Sequence, residues 1–467
     1  MDDSYETKKV WGDKVAFLGL FIGSLLAAYL ITASRSAIVF SEPIELSHTG
    51  LSLSVPSGNG WYSEKQWKHQ ENAFTLSSVF VSDSGRPTIV THCQYLFAAD
   101  KTTPQTKFEQ KASVVNGTIV KTDQIRNGML TIDWAHIKKP PASGVLSPRQ
   151  DVLPGRDRPL SLFFGTTEMP NDRRLDIEVR QIIGDTDLAQ EVFKRVTESL
   201  NFKDNHLLEA GSEIIAKIKS KGLTSFLDNQ NQQVFFLVKT DRKDSERTIG
   251  FTMDVLIDSG QNIGTNIQGA GLLYTRIPYT QERITSFQGD DSFDKFVWKS
   301  ETHSAAGRSG TEIILDANGV MTVRKSDVQP EEKSCRLSSS AIPTIFFQQL
   351  ISVMLDSDKR EIIADIIKPD GTITPTFISR IETKGPAASE QATYTLKLEF
   401  LGTGGFFEQA YLDKQKQISK RVFHLENIAI FDRATEKDIL REFPERADSI
   451  LQNNKVPEPN IPQEIDY

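Results

Sequence analysis

Cysteine is almost missing from this chain: Cys93 and Cys335 are the only two. One pair over this length is no disulfide framework, and the scarcity removes zinc ribbons, iron–sulfur sites and thioredoxin-like chemistry. The two fall in different expected domains and read as separate, buried, inert thiols. Histidine is thin as well. His48, His69, His92, His136, His206, His303 and His424 are scattered, without the i, i+4 spacing of H-E-x-x-H or any clustered metal pattern. Catalytic signatures are missing too. There is no G-x-S-x-G elbow, and Ser292-Phe-Asp-Lys295 satisfies S-x-x-K without the companion motifs of penicillin-binding enzymes. Gly402-Thr-Gly-Gly405 lacks the spacing and the lysine of a phosphate loop. The expectation is therefore no catalytic residue, no metal and no cofactor. A carboxylate pair for glycoside hydrolysis stays open, because nothing singles out one acid among many. Positive charge is in deficit: the formal net charge is −8, which argues against a nucleic-acid partner. Low-complexity tracts are lacking, and 38% hydrophobic with 25% charged residues describes a folded protein.

Long apolar runs are also rare, with one exception. Between Lys14 and Arg35 lies an uncharged, mostly apolar stretch, residues 15–34. At about 1.5 Å per residue it is about as long as a bilayer core is thick. The sequence thus predicts a transmembrane helix at 15–34 behind a cytoplasmic tail, residues 1–14. Its length and poor exit sites favour an uncleaved signal anchor over a cleaved signal peptide. Lys8, Lys9 and Lys14 precede it, and no Lys or Arg follows Arg35 until Lys65. The positive-inside rule then leaves the N-terminus cytoplasmic and the bulk extracytoplasmic. Gly19, Gly23 and Ala27 recur every four residues, a candidate helix-pairing stripe. The implied partners are the lipid bilayer, other membrane or envelope proteins, and a second copy paired through this helix.

Beyond the spacer the pattern turns strand-rich. Leu51-Ser-Leu-Ser-Val55 alternates and stops at Pro56-Ser-Gly-Asn-Gly60 before Trp61. Phe74–Val81 and Thr88–Phe97 read as strands joined at Asp83-Ser84-Gly85, and Ile132, Trp134 and His136 alternate on another. Leu160–Phe164 and Leu175–Val179 follow a long loop at 138–160, and then Leu188, Val192, Val196 and Leu200 mark one face of a helix. The opening "LSLSVPSGNGW" and the closing "LDIEVRQI…LAQEVFKRVTESLNF" resemble the Mog1/PsbP-like α/β fold. That resemblance spans 44–203. It implies a fold and binding roles, and carries no functional residue over.

Residues 204–227 hold a second amphipathic pattern that breaks at Gly222, after which strands resume. Phe251, Met253, Val255 and Ile257 alternate cleanly. Pro343 is placed to open a helix with Phe346, Leu350, Val353 and Met354 as its stripe, and Thr435 with Asp438 to cap a last one that Pro444 interrupts. Residues 204–452 thus read as a curved antiparallel sheet with packed helices, similar in layout to the half-barrel folds of periplasmic lipoprotein carriers. Residues 453–467 read as a flexible tail. The expected fold class is α+β: one transmembrane helix, then two antiparallel-sheet-plus-helix domains.

Two features could bind a ligand or partner. Trp61, Tyr62 and Trp67, interleaved with Lys65 and Lys68, could form an aromatic–basic ledge. In a half-barrel, Phe235, Phe251, Phe296 and Phe400 could line an apolar cleft. The expected function is a single-pass, membrane-anchored, extracytoplasmic binding or scaffold protein without catalysis. The alternative is an envelope lipid or lipoprotein carrier using that cleft.

Overall fold

The computed structural model describes Phe21, Ile22, Ser24 and residues 38–446, except 47, 59, 69–72, 82–86, 98–101, 140–159, 182–185, 205, 228–230, 243–244, 263–264, 277–279, 327–329, 383–391, 402–405 and 426–427. Strands dominate these residues, against five α-helices: α1 Pro104–Val115, α2 Thr186–Ser199, α3 Leu207–Lys221, α4 Phe347–Asp356 and α5 Glu436–Glu442. The chain is mostly β, which corrects the expected α+β, PsbP-like class. The reason is physical. Strands such as Trp61–Lys68, Thr118–Asn127 and Gln281–Gly289 carry polar residues on one face or both, so they show no apolar run to betray them.

The single-pass membrane architecture is corrected as well. Among the described residues no helix is long and apolar enough to cross a membrane, and the longest, α3, has 15 residues with Lys and Glu along it. Such a helix falls well short of the ~20 residues a span needs. The stretch 15–34, with the stripe Gly19, Gly23 and Ala27, lies outside the described residues apart from Phe21, Ile22 and Ser24. The cytoplasmic N-terminus and extracytoplasmic bulk deduced from it lose their support.

The first unit is built on a seven-stranded antiparallel sheet. Its spatial order is Trp61–Lys68, Ala73–Val81, Pro87–Leu96, Arg173–Gln181, Leu160–Met169, Leu130–Lys139, Thr118–Asn127. Alternation sorts the side chains onto two faces. Ile132, Trp134, Phe163, Leu175, Ile177 and Val179 pack with Ala189, Val192, Phe193 and Val196 of α2. On the opposite face α1 covers Ala135, Ile137, Leu162 and Phe164 with Phe108 and Ala112. Local signals set α1: the Thr103 hydroxyl accepts from the Thr106 amide, Pro104 opens the first turn, and Asn116 closes it in the left-handed region at φ 52°.

The second unit is a 15-stranded sheet laid down as one long meander. Eight strands run outward from Asn231–Arg242 to Glu331–Arg336. The chain then starts the opposite edge at Ala341–Pro343 and passes through α4, and six strands from Glu361–Ile367 to Ile428–Ala434 return. The last strand pairs with the first, Phe235 opposite Ala434 through Asp241 opposite Ile428. The sheet curls around α3 and α4. One core unites Ile214, Ile215 and Ile218 of α3 and Leu350 and Met354 of α4 with Phe287, Phe296 and Trp298 from one half of the sheet and Ile362, Ile378 and Leu398 from the other. The tip of the Glu361–Ile367 hairpin meets the far half: a Cβ on Gly371 would lie 2.4 Å from Val323 Cγ1. Outside the curl, α5 and the turn after it seal Phe235, Phe251, Met253 and Tyr274 beneath Ile439 and Phe443.

Candidate functional site

On the α1 face of the first sheet, the part that the helix leaves uncovered is polar. Across six strands the paired positions read Gln124, Asp133, Thr166, Asp176, Gln94 and Thr75. Three contacts knit part of this row. Gln124 Nε2 donates to Asp133 Oδ1 at 2.7 Å, the Thr166 hydroxyl to Asp176 Oδ1 at 2.6 Å, and Arg174 Nε to the same oxygen at 3.0 Å. Burial raises the Asp176 carboxyl above its ordinary range, with Arg174 and Thr166 pulling the other way. One position further along the strands, Glu178 is held below its ordinary range despite burial, because Lys111 and Arg180 flank it.

Where this row runs past the first turn of α1, a cavity of about 720 Å³ opens. Pro104 and Lys107 of α1 form one wall; Thr131, Asp133 and Thr166 form the floor; Glu168, Asp172 and Arg174 close the far side. Both signs of charge and several hydroxyls therefore converge on one space. Its size falls within the ~300–1,000 Å³ of small-molecule sites. The signal for this floor was present in "LTIDWAHI": the complement of the apolar alternation, Thr131 and Asp133, faces one way on every second residue.

The residues singled out from sequence lie elsewhere. Trp61 and Tyr62 are consecutive on an edge strand, so they point to opposite faces. Trp61 packs on Phe80 with ring centroids 5.2 Å apart, while Tyr62 is 69% exposed. The expected ledge is thus corrected for this pair; the Trp67 side chain lies outside the described set. The apolar cleft is corrected too. Phe235 and Phe251 are sealed on the outer face under α5, whereas Phe296 is in the inner core and Phe400 is half-buried beside Lys368, its ring centroid 5.7 Å from Nζ. A strand pattern shows that one face is apolar but not which way the sheet will curl.

Cys93 is buried in the first core and Cys335 lies in the second unit; both are free, with burial pushing the thiols up to about 12 and about 11. Such thiols are poor nucleophiles. His92 and His136 sit beside serines, Ser77 and Ser161, each 2.9 Å away. Among the described residues no group of three or more His, Cys, Asp or Glu is placed to hold a metal.

No family model and no curated protein matches the sequence. Among the solved structures with a faint likeness are two of β-rich proteins of unknown function. One is a β-barrel-like protein of a domain of unknown function, DUF1849, from Brucella abortus, at 10% identity and TM-score 0.34, covering 44% of this chain and 95% of that one. The other is a DUF1089 family protein from Pseudomonas aeruginosa, at 12% identity and TM-score 0.23, covering 36% and 87%. Neither likeness bears on function.

Proposed function

We propose that the chain is a non-catalytic binding protein that holds a small polar ligand in the cavity beside α1. The observation behind this reading is the convergence of Lys107, Arg174, Asp133 and Thr166 on one space of about 720 Å³. A ligand with both donors and acceptors, such as a zwitterion, suits that lining. Catalysis is not part of the reading, because the carboxylates of the row are already engaged: Asp133 by Gln124, and Asp176 by Thr166 and Arg174. The carrier alternative has less behind it. α3 and α4 fill the inner curl, and the cavity left beside α4 is about 60 Å³, too small for an acyl chain.

The test is native mass spectrometry and thermal melting of the full chain, with a panel of amino acids, dipeptides and sugars. Thr131 is exposed on the cavity floor, so Thr131→Trp blocks the space at little cost to the fold. A bound small molecule, or a rise in melting midpoint that Thr131→Trp abolishes, is the expected outcome; saturation at a hundredfold over Kd stabilises by about 2.7 kcal/mol. A chain that purifies empty and responds to no member of the panel overturns the reading.

A further inference from the structure

The charges that line the cavity beside α1 are not equally free. Arg173 is committed to the second unit: its side chain is buried, with Nη2 2.8 Å from Asp365 Oδ1. Arg174 Nε lies 3.0 Å from Asp176 Oδ1 on its own strand. Lys107 is 6% exposed and engaged as well. The acids differ. Glu168 is exposed and makes no hydrogen bond or ion pair with any described residue. Asp133 is half-buried; its Oδ1 accepts from Gln124 Nε2 at 2.7 Å, and its Oδ2 has no partner among the described residues. The hydroxyl of Thr131, exposed on the floor, is free in the same sense.

The sheet holds these three groups together. Asp133 pairs with Thr166, and Glu168 lies two positions further along the Thr166 strand, so both side chains leave the same face. Such diagonal neighbours are about 7–8 Å apart at Cα, within reach of one shared ligand atom for long side chains. Thr131 precedes Asp133 by two positions and shares its face. The frame is anchored. Asn127 closes the hairpin opposite Leu130, and its Nδ2 donates to the carbonyls of Thr197 and Leu200 at 2.9 and 2.7 Å, tying the turn to the end of α2.

The space therefore wants a donor. A carboxylate only accepts, and an acid on each of two neighbouring strands faces one concavity with no described donor left over for them. Their mutual repulsion eases when a cation sits between them. An incoming anion meets the opposite situation, because each lining cation is already engaged. We infer that the cavity takes a primary ammonium group, whose three N–H bonds suit Glu168, Asp133 and Thr131. The cavity reading proposed above underlies this assignment, which names the end of the ligand that the chain grips. A quaternary ammonium has no N–H to give. A metal ion is poorly served, since no group of three or more His, Cys, Asp or Glu among the described residues is placed to hold one. Pro104 and Met129 supply apolar lining for a short alkyl stem.

The experiment is calorimetric titration of the full chain, at about pH 7.5 and low ionic strength, with three ions that share a butyl tail: butylammonium, butyltrimethylammonium and pentanoate. Butylammonium is expected to bind at least about tenfold more tightly than the other two. Glu168→Gln and Asp133→Asn should each weaken it by about tenfold, because each removes one charge-assisted hydrogen bond. Both variants keep the fold: Glu168 is exposed, and an amide oxygen at position 133 still accepts from Gln124. Butyltrimethylammonium binding as tightly as butylammonium, pentanoate binding in its place, or butylammonium indifferent to both variants overturns the inference. If butylammonium does not bind while a sugar raises the melting midpoint and Thr131→Trp abolishes that rise, the ammonium falls and the cavity reading stands. If neither the three ions nor the panel of amino acids, dipeptides and sugars binds, both fall.

Discussion

Among the described residues Arg173 is the most deeply buried cation of the first unit, at 2% exposure. Its Nη2 reaches both oxygens of Asp365, at 2.8 and 3.0 Å, on the second unit's strand Glu361–Ile367. Ser338 and Ser340 donate to the same carboxylate, and the guanidinium lies 4.6 Å from the Phe97 ring. Nε and Nη1 have no partner among the described residues. Such a pair joins two units without adding much net stability, because desolvation of both ions offsets their attraction. Asp365→Ala, which strands the arginine, should therefore cost about 3–5 kcal/mol in denaturant unfolding, whereas Arg173→Met with Asp365→Leu together should cost far less.

Among elements, those with a local cause were the legible ones. The capping box of α5 forms as its residues suggest: Thr435 Oγ1 accepts from the Asp438 amide while the Asp438 carboxylate takes the Thr435 amide at 3.0 Å. α2 buries Val192 and Val196, two of the residues its periodicity pointed to. Pro343 instead ends a short strand, and the helix behind it begins at Phe347 after a turn of 3₁₀ helix. What stayed hidden is what depends on distant partners. The polar row is assembled from six strands, its members lying as far apart in the chain as Thr75 and Asp176, and no single strand announces it. Close backbone approach is equally silent in sequence: Gly211 of α3 sits where a Cβ would lie 1.9 Å from the Ile363 carbonyl oxygen. Gly211→Ala should push α3 off its strand despite the better helix propensity, lowering stability by about 1–3 kcal/mol in a denaturant titration with the helical circular dichroism retained.

At the scale of the whole molecule, the meander is bolted at its middle. Asn231–Arg242 is hydrogen-bonded on one side to the strand that follows it and on the other to Ile428–Ala434, the last strand of the sheet. A chain stopped after residue 427 should therefore lose more than a final strand: it should bare the backbone of a central one and partition into aggregates, seen as loss of soluble protein on expression. The same bolt sets an order in time. A ribosome makes the chain from its N-terminus, so the first strand of the large sheet emerges long before the strand that completes it. The first unit can fold while synthesis continues, but the second must wait, its central edge open, until Ile428–Ala434 has left the exit tunnel. A chaperone that shields extended backbone during those seconds would matter more to this protein than to one whose sheet closes between neighbours.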